Sequence, residues 1–209
     1  MRGWIFGAVN AKADDALFYK RLKFEKDDII ICADGGYNTA TLIGIVPHIV
    51  IGDMDSISGA VPSSIKKIVY PKNKDKTDLH LCIDYALENG CKEIILLNSF
   101  GGRIDHSIAA LVSLKYIMEN NAEGMLVTKS SKAFLTDEKA TIKRSIYSKI
   151  SLVPLTDTVS GVTTSGLQYP LENATLHQSA NMGISNAFSS GVASVEIKEG
   201  LLFIICEED

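Results

Sequence analysis

The run Ile29-Ile30-Ile31-Cys32 constrains the fold of this chain more than any other stretch. The strand expected over residues 28–33 carries no alternation of polar and apolar side chains, so both its faces must be buried, which is the condition of a parallel sheet under helices. Further strands are expected at 4–9, at His48-Ile49-Val50-Ile51, at 92–98 and at 124–128, with helical stretches between them. Asp14 or Asp15 opens a first helix containing Leu17, Phe18 and Leu22. A second is expected over 37–43 with Gly44 as its cap, and a short one over 61–67 before a short strand at 68–70. The most legible helix puts Leu79, Cys82, Ile83, Ala86 and Leu87 on one apolar stripe and stops at Gly90. The last runs through Met118 with Ile108, Leu111, Val112 and Met118 on its apolar side.

After residue 131 the texture changes to short β-prone runs with polar breaks, at 133–136, 140–143, 149–155, 159–164, 174–178, 192–197 and 201–206. Closely spaced strands after a β–α alternating half predict two domains. The fold class expected is an α/β N-terminal domain with a mostly parallel sheet, residues 1–129, followed by an all-β sandwich or flattened barrel, residues 130–209. The break falls near 129–132.

A formal net charge of −4 offers no basic patch for nucleic acid. No apolar run is long enough for a membrane span, and 4–9 is too brief for a signal peptide. Cys32, Cys82, Cys91 and Cys206 lack any CxxC spacing, which predicts free buried thiols and a cytoplasmic protein.

The stretch Gly52-Asp53-Met54-Asp55-Ser56 sets two carboxylates just past a strand, at the sheet edge where ligands collect. Such residues also make ordinary turns. Asp34-Gly35-Gly36, between a strand and a helix, either forms a tight turn or lets backbone N–H groups approach a phosphate. In Lys74-Asp75-Lys76-Thr77-Asp78, Asp75 or Thr77 can cap the following helix, yet capping needs only one such residue. Gly101-Gly102-Arg103-Ile104-Asp105-His106 adds a planar donor suited to phosphate at Arg103, and His106 is either a local helix-start residue or a substrate contact. Gathered along one sheet edge, these acids with Lys72, Lys74, Lys76 and Arg103 suit magnesium, which is held by one or two carboxylates plus substrate phosphates. No P-loop or GxGxxG is present. The chemistry expected is magnesium-dependent phosphoryl or pyrophosphoryl transfer.

The same four motifs, in this order and spacing, resemble the thiamine pyrophosphokinase family, as do Thr164-Ser165-Gly166-Leu167-Gln168-Tyr169-Pro170-Leu171 and Gly183-Ile184-Ser185-Asn186. The resemblance implies a homodimer that moves the pyrophosphoryl group of its co-substrate ATP to the hydroxyl of thiamine, giving thiamine diphosphate and AMP. It implies that Asp53, Asp55 and Asp78, supported by Asp75, hold Mg2+. It puts Asp34, Gly35, Gly36, Lys74, Asp75, Thr77, Arg103, Asp105 and His106 on the nucleotide and phosphate side. Catalytic roles fall to Asp53, Asp78 and Arg103, with Asp53 or Asp78 as proton acceptor. Ser165, Tyr169, Ser185 and Asn186 are implied in the thiamine pocket, completed across the dimer. Two positions depart from the family's pattern: Ala187 follows Asn186 where Glu is common, and Tyr169 stands where some relatives have Trp. Two rival readings are a related enzyme acting on another small alcohol or nucleotide, and a non-catalytic thiamine sensor.

Overall fold

The computed structural model describes residues 1–12 and 15–208 and divides into two compact units, Met1–Lys129 and Ser130–Asp209. The first unit comprises β1 (Arg2–Phe6), α1 (Ala16–Arg21), β2 (Ile29–Ala33), α2 (Gly36–Leu42), β3 (Ile49–Gly52), β4 (Lys66–Val69), α3 (Asp78–Glu88), β5 (Glu93–Leu97), α4 (Ile104–Glu119) and β6 (Glu123–Val127). Its strands lie in the order β6-β5-β1-β2-β3-β4, every pair parallel. As the unbroken apolar runs require, Ile5, Phe6, Ile31, Cys32, Val50 and Leu96 are buried. Of the two candidate openers of the first helix, Asp14 lies outside the described residues, while Asp15 sits just before α1 and accepts from the Lys12 N–H.

α3 forms as its periodicity predicts. Thr77 caps it by accepting from the His80 N–H at 3.2 Å, and Cys82, Ile83 and Ala86 are buried. α4 corrects the expected orientation: Ile108 and Val112 are 56% and 46% exposed, and the helix instead buries Ser107, Ala110, Leu114 and Ile117. The small residues Ser107 and Ala110 and the glycine at 124 explain the turn of the helix. A Cβ at Gly124 would stand 3.0 Å from Leu114 Cδ2, so the bare backbone of β6 accommodates the helix face. The helix expected at 61–67 is also absent. Pro62, Ser63 and Ser64 favour a turn, in which the Ile65 N–H donates to Pro62 O, and residues 66 and 67 already belong to β4.

One buried charge anchors the start of the sheet. Asp28, 5% exposed, accepts from Arg2 Nη2 at 2.7 Å, from Trp4 Nε1 at 2.8 Å and from the Glu25 N–H at 2.9 Å. Burial pushes this carboxyl up, but the Arg2 guanidinium, the Glu25 N–H and the Trp4 indole outweigh it and hold the group at about 2. A carboxyl held below its unfolded value stabilises fully above that value, and the contribution is lost as pH falls through the folded one. Asp28 is therefore expected to contribute on the order of 2 kcal/mol at neutral pH, lost between about pH 4 and pH 2. Asp28→Asn should cost about 3 kcal/mol in denaturant titrations by leaving Arg2 without its counter-charge. An unfolding midpoint unchanged from wild type would refute that account.

The second unit comprises β7 (Ser131–Thr136), β8 (Lys139–Lys143), β9 (Lys149–Pro154), β10 (Thr158–Ser165), β11 (Ala174–His177), β12 (Asn186–Ala187), β13 (Val192–Glu196) and β14 (Leu202–Glu207). Its strands pair antiparallel in the orders β12-β9-β14-β7 and β11-β10-β13-β8. They form a β sandwich around Ile142, Ile150, Leu152, Val159, Val162, Leu176, Val195 and Ile204. The two-residue β12 has too little β character to be seen in the sequence. No helix of the described residues is long and apolar enough to cross a membrane, and all four cysteines are free and buried.

Candidate active site

The register of the parallel sheet brings the acids together. Cα pairing of Ala33 with Ile51 sets the ends of β2 and β3 side by side, and the Asp34 N–H donates to Ile51 O at 2.9 Å. Asp34 turns out of β2 with φ 44°, a left-handed conformation that Asp tolerates, and is 5% exposed. One oxygen each from Asp34, Asp53 and Asp55 lie within 4.8 Å of one another. The Asp55 N–H donates to Asp53 Oδ1 at 3.1 Å, so the loop is an Asx turn as well as an acidic group.

Asp78, at the first position of α3, borders this group. A Cβ placed on Gly52 would stand 2.8 Å from Asp34 Cβ and 3.2 Å from Asp78 Cγ, so those two atoms are no more than about 6 Å apart. Burial raises the Asp78 carboxyl, Lys74 at 3.0 Å lowers it, and repulsion from Asp34 and Asp53 raises it again. Lys72 Nζ pairs with Asp55 at 2.6 Å and holds that carboxyl below its ordinary value.

Three oxygens this close repel unless a cation lies among them. Asp34 Oδ1 is buried with no hydrogen-bond partner, an arrangement that costs free energy in the bare protein. An all-carboxylate donor set with an unsatisfied buried oxygen fits a hard divalent cation. The grouping differs from the expectation for Asp34, Asp75 and Asp78, the last of which borders the three grouped carboxylates without being one of them. Asp34, placed there on the nucleotide side, stands with Asp53 and Asp55, whereas Asp75 is exposed and lies outside the group. A signal for Asp34 was present, since its strand neighbours that of Asp53, but adjacency of β2 and β3 is a property of topology. Gly52 is a further position on which the site depends, and its place one residue before Asp53 is the only clue that the sequence offers.

The glycines of Asp34-Gly35-Gly36 are there for close approach. A Cβ on Gly36 would fall 2.0 Å from Phe6 O, so the start of α2 lies directly on the end of β1. Lys74 stays with Asp78, but Lys76 is drawn away to Asp84, which also accepts from the Tyr116 hydroxyl at 2.8 Å. Thr77 spends its hydroxyl on the cap described above. At the start of α4, Arg103 Nη2 pairs with Asp105 Oδ2 at 2.6 Å; this pair and His106 are exposed, and the guanidinium holds the Asp105 carboxyl below its ordinary value.

In the second unit, the four residues expected in the acceptor pocket fall on neighbouring segments. Ser165 Oγ lies 2.8 Å from Ser194 Oγ, and the Tyr169 side chain is 65% exposed. Asn186, 7% exposed, accepts from the Tyr169 N–H at 3.0 Å and donates to Tyr169 O at 2.7 Å. The amide is thus spent on the main chain that carries the ring, which makes Asn186 a positioning residue for Tyr169. Ser185, with φ 59°, anchors its N–H on Ser151 Oγ at 3.0 Å.

A carboxylate cradle on the carboxyl edge of a parallel sheet, flanked by lysines and close-packed glycine turns, is a site suited to a cation, and the class to which a chain with this fold and site belongs is that of the transferases. Comparison with known proteins gives the particular one. Residues 20–126 match the family described as thiamin pyrophosphokinase, catalytic domain, and residues 139–202 match thiamin pyrophosphokinase, vitamin B1 binding domain. The thiamine pyrophosphokinase of Bacillus subtilis is 30% identical over 186 residues, covering 86% of this chain and 87% of the relative. Thiamin pyrophosphokinase 1 of Caenorhabditis elegans is 25% identical, covering 76% and 70%. The crystal structure of the Bacillus subtilis thiamine pyrophosphokinase superposes with a TM-score of 0.88 at 25% identity over the whole of both chains. That of thiamin pyrophosphokinase from Candida albicans gives 0.78 over 99% and 89%, a likeness of fold. The chain belongs to the thiamin pyrophosphokinase family, and its function is that of a thiamine pyrophosphokinase.

Proposed function

We propose that the enzyme uses magnesium, held by Asp34, Asp53 and Asp55 with Asp78 beside them, to transfer the pyrophosphoryl group of ATP to thiamine. The observation that carries this reading is the meeting of three carboxylates, one of which, Asp34, also has a buried oxygen with no hydrogen-bond partner. When bound there, the cation neutralises charge on the polyphosphate oxygens and fixes their positions. The thiamine hydroxyl oxygen bonds to the β-phosphorus while the bond from that phosphorus to the α,β-bridging oxygen breaks, and AMP departs. The hydroxyl proton goes to Asp53 or Asp78. Little basicity is demanded, because phosphoryl transfer passes through a loose transition state governed by position and charge. Lys74 and Arg103 supply further positive charge. Asp75, Asp105 and His106 stay in the supporting set around the phosphates, and Gly35 and Gly36 supply the close backbone approach.

Incubation with ATP, magnesium and thiamine should release AMP in step with thiamine diphosphate. ADP or free phosphate as the main product would overturn the reading in favour of another phosphotransfer.

On the acceptor side, Ser165, Tyr169 and Ser185 would face thiamine, with Asn186 holding Tyr169 in place. An exposed aromatic ring attracts a cationic thiazolium by roughly 0.5–2 kcal/mol. Tyr169→Ala should therefore raise KM for thiamine by roughly 2- to 30-fold and leave KM for ATP unchanged. Equal loss for both substrates would show that the ring only packs. A homodimer is the assembly proposed, to be read by sedimentation. A cytoplasmic location accords with the free, buried thiols.

A further inference from the structure

The loop that carries Asp53 and Asp55 is tied to α2 by one side chain. Asn38, the third residue of that helix, donates from Nδ2 to Ser56 O at 2.8 Å and accepts the Ser58 N–H on Oδ1 at 2.8 Å. Its amide thus takes one acceptor and one donor from the loop's main chain, on either side of Ile57. Such a pair needs a side chain with both roles on separate atoms, which an ionised carboxylate, an ammonium and a guanidinium all lack. Asn is a poor helix former because its side chain competes for nearby main-chain groups. At position 38 that same chemistry is turned onto another segment.

The helix that bears Asn38 begins beside Asp34. The Tyr37 N–H donates to Asp34 O at 3.1 Å and the Asn38 N–H to Gly35 O at 3.0 Å, so Asp34 and Asn38 belong to one turn of chain. Gly36 seats that turn on Phe6 O, and a Cβ on Gly35 would stand 3.2 Å from Ser56 Cβ, so the loop lies directly against it. What Asn38 fixes is therefore the position of the loop relative to Asp34.

The loop needs such a tie. Asp53 is half-buried, and Asp55, Ser56 and Ser58 are exposed. Without a cation the carboxylates of Asp53 and Asp55 repel that of Asp34, which favours movement of the loop away from the sheet edge. Met54 and Ile57 resist by packing against the core of the first unit, but apolar packing has no direction. The two hydrogen bonds have direction, and they hold peptide groups within three residues of Asp55. Order established before a ligand arrives is order that binding does not have to create.

We propose that Asn38 is a positioning residue for the carboxylate cradle, its amide clasping the Asp53–Asp55 loop to the helix that starts at Asp34 so that the three oxygens are gathered in advance of the cation. The inference rests on the reading of the cradle as the magnesium site.

The test is a titration of the protein with manganese(II) alone, followed by the electron paramagnetic resonance of the free ion. Manganese takes the same octahedral oxygen ligands as magnesium. Wild type, Asn38→Ala, the size-matched Asn38→Leu and Asp55→Asn are compared, with melting in the absence of metal and turnover across magnesium concentrations. Both Asn38 variants should bind manganese roughly tenfold more weakly, in keeping with the loss of two ordinary hydrogen bonds. The magnesium concentration for half-maximal turnover should rise by a similar factor, yet turnover at saturation should match wild type, because excess cation draws the loop back. KM for thiamine and the melting temperature should be unchanged, since the main-chain groups released at Ser56 and Ser58 are open to water. The inference is overturned if either variant, folded, binds manganese within twofold of wild type while Asp55→Asn weakens it. It is also overturned if both Asn38 variants melt well below wild type, which would make the residue a plain structural one. Manganese affinity unchanged in Asp55→Asn places the ion elsewhere and overturns the magnesium-site reading together with this inference.

Discussion

Asp55→Asn is expected to lower turnover about a thousandfold while leaving the fold intact. A bound divalent ion supplies several kcal/mol of charge stabilisation at a transferring phosphoryl group, and each ~1.4 kcal/mol is a factor of ten in rate. Losing one of three grouped carboxylates weakens the hold on that ion and the alignment it gives. The fold should not suffer, because the Asp55 side chain is 47% exposed and its pair with Lys72 is a surface ion pair of small worth. In the bare protein the change also relieves repulsion from Asp34 and Asp53. Steady-state kinetics at saturating magnesium, paired with thermal melting, decides the matter. Near-normal turnover would remove the cradle from the mechanism, and a collapsed melting temperature would assign Asp55 to stability instead.

Gly52→Ala is expected to do comparable damage without touching any charge. The added methyl would stand 2.8 Å from Asp34 Cβ and 3.2 Å from Asp78 Cγ, both tighter than ordinary contacts, so the two acids must separate. Overpacking of this kind costs about 1–3 kcal/mol of stability. The larger effect is on rate, since a displacement of about 1 Å in a reacting constellation can cost on the order of a hundredfold. Magnesium affinity should fall in parallel, which calorimetry reads independently of turnover. An alanine variant with wild-type metal affinity and rate would show that the spacing of Asp34 and Asp78 does not matter.

What the sequence discloses depends on whether the relevant physics is local. The strands of the first unit and α3 are legible because burial on two faces and a helical stripe each leave a period in the chain, and Thr77 is recognisable as a cap from its own chemistry. α4 is misread because apolar residues occupy two of its faces, Ile108 and Val112 on one, Leu114 and Ile117 on the other. The choice between them is made by Ser107, Ala110 and Gly124, whose smallness carries no hydrophobic signal. The segment at 61–67 is misread because Val61 and Ile65, four residues apart, fit a helical stripe, while Pro62, Ser63 and Ser64 between them favour the turn that forms. In the site, the pairing of Asp53 with Asp55 is a sequence neighbourhood and was visible. Asp34 joins them through strand adjacency, which no local pattern encodes. Asn38 offers only an asparagine inside a helix, and its bonds to Ser56 and Ser58 join segments 18 and 20 residues apart in the chain.

The clasp between Asn186 and the peptide of Tyr169 needs one donor and one acceptor, as a β-bridge does. Replacing Asn186 by Asp would keep the size and shape of the side chain yet exchange that donor for an anionic oxygen facing the Tyr169 carbonyl. A change of one atom, invisible to any inspection of packing, would turn the clasp into a repulsion and let the aromatic ring drift. Under the proposed reading of Tyr169 as a thiamine contact, loss of this single amide would lower affinity for the acceptor and leave the carboxylate cradle of the first unit untouched.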